Sequence, residues 1–144
     1  MPQTDTTTGT AADTDARTVV TEYVTRLAAG ELDAAVALFA EDATWTYPGG
    51  LALSRTWRGK QEIFGDFLGR VGTLFAADGL PVLTLTAVLA DGPQAVAEWT
   101  AVGTAANGAA YENHCLGVFT VENGLITAVR EYLDTHHVAQ TLLA

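Results

Sequence analysis

The sequence is poor in cysteine and in basic residues, and each shortage removes a class of function. Cys115 is the single cysteine, so no internal disulfide can form and a thiolate zinc cluster is excluded. Seven Lys and Arg stand against seventeen Asp and Glu, a formal net charge of −10. So acidic a chain lacks the basic face that a nucleic-acid backbone or an anionic membrane surface requires. No apolar run approaches the ~20 residues that span a bilayer. Residues 1–13 are rich in Thr, Asp and Ala and carry neither the basic start nor the apolar stretch of a secretory signal. These absences lead us to expect a soluble, cytoplasmic protein.

What is present suffices for one core. Of the 144 residues 49 % are apolar, which is ordinary for a single folded domain and unlike a disordered chain. We expect a polar, frayed tail over residues 1–13 and one domain over 14–144. Val20, Tyr23, Val24 and Leu27 recur at helical spacing, and Gly30 supplies the stop. A second short helix is expected over Glu31–Ala40, with Leu32, Ala35, Val36 and Phe39 on its apolar stripe. Residues 43–47 are β-prone and end at Pro48-Gly49-Gly50. A third helix follows over about Lys60–Ala76, burying Ile63, Phe67, Val71 and Leu74. Its glycines Gly65, Gly69 and Gly72 lower helix propensity, and close packing against a sheet is one reason for them.

The second half changes period. Four β-rich runs, at about 81–90, 94–104, 109–121 and 125–134, are separated by Asp91-Gly92-Pro93, Asn107-Gly108 and Asn123-Gly124. The two Asn-Gly pairs are strong hairpin signals. Residues 135–143 have room for a short helix. Helices first and a meander afterwards make an α+β layered domain.

Strand alternation sorts the polar residues. Tyr111, Asn113, Cys115, Gly117 and Phe119 share one face of their strand, opposite Glu112, His114, Leu116 and Val118. Ala97, Trp99 and Ala101 likewise share a face, as do Val129, Glu131 and Leu133. A carboxylate between two apolar neighbours is desolvated or partnered, and burial raises its pKa into a range useful for acid–base work. A solvated rim position, or pairing with a buried arginine, is the alternative for Glu131. By its parity His114 belongs to the surface. His136-His137 lacks the spacing of a metal pair, so no metal is expected. Asp134 reads as a strand-end residue, and Trp57 as a lid or dimer-surface residue.

The segment VVTEYVTRLAAGELDAAVALFAEDATWTYPGG closely resembles the opening of the ketosteroid-isomerase branch of the nuclear-transport-factor-2-like superfamily. The segment LGVFTVENGLITAVREYLD resembles the closing strands of limonene epoxide hydrolases, SnoaL-like cyclases and phenazine-biosynthesis members. Together the two resemblances span most of residues 17–135. They imply a cone-shaped α+β barrel, a strongly curved mixed or antiparallel sheet wrapped around three N-terminal helices, enclosing one deep pocket and often forming a homodimer.

Residue by residue, the resemblance is selective. Tyr23 matches the isomerase's oxyanion-binding tyrosine. That enzyme's catalytic aspartate, immediately before a proline, is replaced by Tyr47 before Pro48, and its second oxyanion acid falls near Gly117. The steroid-isomerase mechanism therefore loses its base. Against the epoxide hydrolases, Glu131 falls on one catalytic aspartate. The arginine and the other aspartate fall on Trp99 and Ala101, and the two water-positioning residues become Tyr47 and Trp45. What survives is similar to SnoaL-like members in which a lone acid exchanges a proton with a bound intermediate. Glu131, Tyr23 and Tyr47 are thus the expected catalytic set. Trp45, Trp99, Asn113, Cys115, Leu133 and Phe67 are the expected substrate-binding residues. The resemblance implies a cofactor-free cyclase or isomerase of polyketide-type secondary metabolism, acting on a hydrophobic small molecule. The alternatives are a non-catalytic binding module and a dimerisation domain with a filled pocket; small residues at Ala97, Ala101, Gly103 and Gly117 argue against the last.

Overall fold

The computed structural model describes the backbone of residues 3–144 and the side chains from Ala16 onward. The tail expected over residues 1–13 lies outside the part described with side chains. Helix α1 is Gln3–Ala28. It ends as the sequence predicts: Gly30 takes φ +78°, its N–H bonds Leu27 O, and the Glu31 N–H reaches back to Arg26 O. That paired closure is a Schellman motif, and the left-handed residue it requires is most easily a glycine. Val20, Tyr23 and Val24 are buried on the stripe read from the sequence.

The second helix is shorter than expected. Helix α2 is Leu32–Val36, and Phe39, assigned to its apolar stripe, instead begins strand β1, Phe39–Thr46. Phe39 pairs with Ile126 of the last strand, so long-range pairing overrides a local helical pattern. Strand β2 is Thr56–Arg58. The third helix, α3, begins as a π-helix over Gln61–Phe67 and continues as an α-helix over Leu68–Thr73. Wide π turns are rare and concentrate at functional sites.

Strands β3 (Val82–Asp91), β4 (Gln94–Thr104), β5 (Ala110–Glu122) and β6 (Leu125–Tyr132) follow within two residues of the expected bounds. Asn123 and Gly124 both have positive φ, the geometry of the two-residue hairpin turn that Asn-Gly favours. Helix α4, Thr135–Gln140, ends the chain's regular structure.

The six strands form one sheet in the order β2-β1-β6-β5-β4-β3. All neighbours are antiparallel except β1 and β6, which run parallel, so the sheet is mixed. It curves around α1, which packs across β3 to β6, and register shifts occur in the β1–β6, β3–β4 and β5–β6 pairings. Such irregularities bend and twist a sheet. The inner face carries an aromatic cluster: Tyr23 lies 4.9 Å from Phe39 and 5.9 Å from Phe119, centroid to centroid. Trp45 lies 6.0 Å from Phe67. No described helix is long and apolar enough to cross a membrane.

Two assignments on this frame need correction. Trp57 is neither lid nor surface: it is buried, stacks on Phe67 at 5.2 Å and donates its indole N–H to Leu53 O at 3.1 Å. Its short strand, β2, pairs with β1 and turns the ring inward. Close packing also fails to explain Gly69 and Gly72, because a Cβ at either would meet nothing within 4 Å.

Candidate active site

The inner faces of the strands and helices enclose a cavity of about 390 Å³. Strand parity places its polar groups. Tyr111, Asn113, Cys115, Gly117 and Phe119 all face inward on β5, as do Val129 and Glu131 on β6. Glu131 pairs across the sheet with Gly117. The parallel β1–β6 register sets Trp45 beside Val129, so Trp45 lies diagonally next to Glu131 on the same face.

Glu131 is only 8 % exposed, and the Trp45 indole N–H donates to its Oε1 at 3.0 Å. Among the described residues it has no ion-pair partner, which disposes of a buried arginine. Burial raises its pKa from the usual carboxylate range to about 7, against the smaller lowering effect of the Trp45 hydrogen bond. Loss of hydration penalises the carboxylate, and one N–H bond restores part of the difference. Glu131 therefore divides between acid and carboxylate close to neutral pH.

The phenols behave differently. Burial, and after it the nearby Glu131 charge, pushes Tyr23 and Tyr47 far above the usual phenol range. Burial raises Tyr111 and Cys115 to about 12 each. All four keep their protons at any physiological pH, so the phenols act as hydrogen-bond donors rather than bases. Among the described residues, Tyr23 Oη is buried without a hydrogen-bond partner. A buried, unsatisfied hydroxyl costs about 1–3 kcal/mol, and Tyr23 is also one of the residues that line the cavity.

Of the residues expected at the site, Glu131, Tyr23, Tyr47, Trp45, Trp99, Cys115, Leu133 and Phe67 all line the cavity. Asn113 is inward and buried but does not line it. Its amide donates to Tyr111 Oη and Asp134 O, and its carbonyl accepts from the Asp134 N–H. Asn113 thus clasps the turn from β6 into α4, with both its amide nitrogen and its carbonyl oxygen engaged within the fold. Asp134 caps α4 by accepting from the His137 N–H at 3.1 Å, the strand-end role its parity suggested. His114 is exposed.

Several lining residues escaped the sequence reading. Tyr111 shared the inward face but was not assigned to the site. Phe64, Gly69, Gly72, Leu80 and Leu142 come from helix turns, a loop and the C-terminal segment, whose placement no strand parity reveals. Of the four small residues taken as evidence for an open pocket, only Ala101 lines it. Gly117 lies under the Phe119 ring, with 2.6 Å between a Cβ there and Phe119 Cε1. Gly103 makes room for the backbone at Gly79–Pro81.

Comparison with solved structures gives the same architecture. An NTF2-like protein of unknown function from Burkholderia pseudomallei shares 24 % identity at a TM-score of 0.78, over 90 % of this chain and 98 % of that one. Bal32a, from a soil-derived mobile gene cassette, shares 21 % identity at 0.80 over 91 % and 98 %. A proposed polyketide cyclase from Pseudomonas putida shares 25 % identity at 0.67 over 88 % and 96 %. No curated protein matches the sequence. The family model of the SnoaL-like domain matches residues 20–129, most of the chain including every strand through the start of the site on β6, and the chain belongs to that family.

Proposed function

We propose that the protein is a cofactor-free acid–base enzyme acting on a hydrophobic small molecule, a cyclase or isomerase of polyketide-type metabolism. The observation that carries this reading is Glu131: one buried carboxyl group in an apolar cavity, with its pKa moved to about 7. A group titrating near the working pH both donates and accepts protons efficiently, typically worth ~10²–10⁴-fold in rate. Tyr23 and Tyr47, which both line the cavity, hold their protons and stabilise charge developing on a substrate oxygen. The aromatic walls orient a flat substrate and exclude water. Similarity to the proposed Pseudomonas putida polyketide cyclase supports the metabolic assignment.

The chemistry available to one acid and neutral phenols is narrow. Glu131 as carboxylate removes a proton from an acidic carbon or hydroxyl, while Tyr23 donates to the oxygen that gains charge. Glu131 as acid then returns the proton elsewhere on the same skeleton. Isomerisation, and ring closure of an already activated substrate, need nothing more. A homodimer is part of the proposal, formed by the outer face of β4–β6. That face presents Arg130 and Tyr132 alongside Glu98 and Glu112, charges of both signs that a two-fold pairing can match.

The test is proton exchange in a neutral bicyclic ketone. In D₂O, 2-tetralone exchanges its α-protons, and NMR follows the rate. The wild-type protein is expected to accelerate exchange, and Glu131→Gln to remove at least ~10² of that acceleration while leaving the fold intact. Acceleration that survives in Glu131→Gln, or is missing in the wild type, leaves a binding module of the same fold as the better reading.

A further inference from the structure

The most deeply buried lining residues of the cavity include polar groups, and its most exposed ones are apolar. Tyr23, Trp45 and Glu131 are all nearly fully buried, and they hold its unpartnered hydroxyl and its one carboxyl group. The most exposed lining residues are Leu32 at 49 %, Leu80 at 58 % and Gly69, and the half-buried ones include Val71, Gly72 and Leu83. Burial therefore locates a polar floor and an apolar mouth. Among the described residues, no lysine, arginine or histidine lines it.

Gly69 and Gly72 sit on the α3 wall toward that mouth. Neither has the positive φ that would demand glycine, and a Cβ at either would meet nothing within 4 Å. Gly65 on the same helix differs, because a Cβ there would come within 2.8 Å of Gln61 Nε2. Glycine within a helix is less favourable than alanine, so two helical glycines with neither a backbone nor a packing reason mark space kept free for something else. Tyr23, whose hydroxyl is buried and unpartnered among the described residues, lines the same cavity and independently points to a ligand.

We infer that the ligand is an elongated, uncharged molecule bound oxygen-end first, its oxygen at Tyr23 and Glu131 and its apolar far end in a slot beside Gly69 and Gly72. The inference rests on the reading of Tyr23 and Glu131 as the polar end of the site. It makes the two glycines determinants of substrate length. A terminal carboxylate on the ligand is disfavoured, because the floor holds a carboxyl group and no cation lines the walls.

A series of 4-alkylphenols tests it, with binding read from quenching of tryptophan fluorescence at pH 6, where the phenols are neutral. In the wild type, affinity should rise about fourfold for each added methylene until the tail reaches the mouth. Gly69→Leu and Gly72→Leu should each weaken 4-hexylphenol on the order of tenfold and leave 4-ethylphenol unchanged within about twofold. Tyr23→Phe should weaken every member by the same factor. Equal losses for short and long phenols in the leucine variants, or no loss for the long one, overturn the inference. So does the absence of alkylphenol binding to the wild type, or tighter binding of 4-hexylbenzoate than of 4-hexylphenol. If the leucine variants do not fold, Gly69→Ala and Gly72→Ala, whose methyl groups enter open space, carry the same length-graded test with losses of about two- to fourfold. A length-graded loss together with retained proton exchange in Glu131→Gln keeps the binding mode and discards the acid–base role; the converse result does the opposite.

Discussion

Trp45 and Glu131 lie 86 residues apart in sequence and meet at 3.0 Å, indole N–H to carboxylate oxygen. The parallel pairing of β1 with β6 creates this contact, since it is the one strand pair that joins the first half of the chain to the last. The bond favours the ionised form and so works against burial, which raises the Glu131 pKa to about 7. Trp45→Phe keeps an aromatic wall and removes the donor. The Glu131 midpoint, followed by the ¹³C shift of its carboxyl carbon, should then move upward by about one pH unit. A midpoint that stays in place or falls would show that the indole does not stabilise the carboxylate.

The same raised pKa makes stability depend on pH. Between about 4.5 and about 7 the folded protein holds the Glu131 proton and the unfolded chain releases it. Folding stability from this group is therefore fully present below about 4.5 and lost as pH rises through about 7. The full effect is of order 3 kcal/mol. Glu131→Gln cannot titrate, so its melting temperature should fall less than that of the wild type between pH 5 and pH 8. Parallel curves for the two proteins would count against a buried, titrating Glu131.

Tyr23 separates stability from function. Its hydroxyl is buried without a partner among the described residues, so Tyr23→Phe should leave the unliganded protein as stable or raise its stability by about 1 kcal/mol. Ligand affinity or proton-exchange rate should nevertheless fall about tenfold. Denaturant melts and exchange rates on the same samples decide it; a clear loss of stability would mean that the hydroxyl is satisfied within the fold.

Gly117 and Asn113 support the site from behind. A Cβ at Gly117 would stand 2.6 Å from Phe119 Cε1 and 3.3 Å from Trp99 Cη2. Gly117→Ala must displace a ring in the core and should cost about 1–3 kcal/mol in urea unfolding. Asn113→Ala removes the clasp on the turn at Asp134. It should destabilise by about 2 kcal/mol, while leaving the affinity for short phenols within about twofold, because no Asn113 atom lines the cavity. A large affinity loss without loss of stability would return Asn113 to the binding site.

The sequence by itself determined the strands, their turns and their faces. Asn123-Gly124 and Gly30 demanded left-handed backbone, and alternation along β4, β5 and β6 sent Trp99, Cys115 and Glu131 inward. These are local properties: a period of two needs only one buried face, and a positive φ needs only the right residue. Tertiary structure decided the rest. It ended α2 early by pairing Phe39 with Ile126, turned Trp57 into the core, and brought Trp45 to Glu131. It also took the Asn113 amide for the backbone at Asp134 and left the Tyr23 hydroxyl free. Parity says which way a side chain points. Which partner it finds there depends on elements distant in sequence, and only their packing places the acid, its indole donor and the unpaired phenol around one cavity.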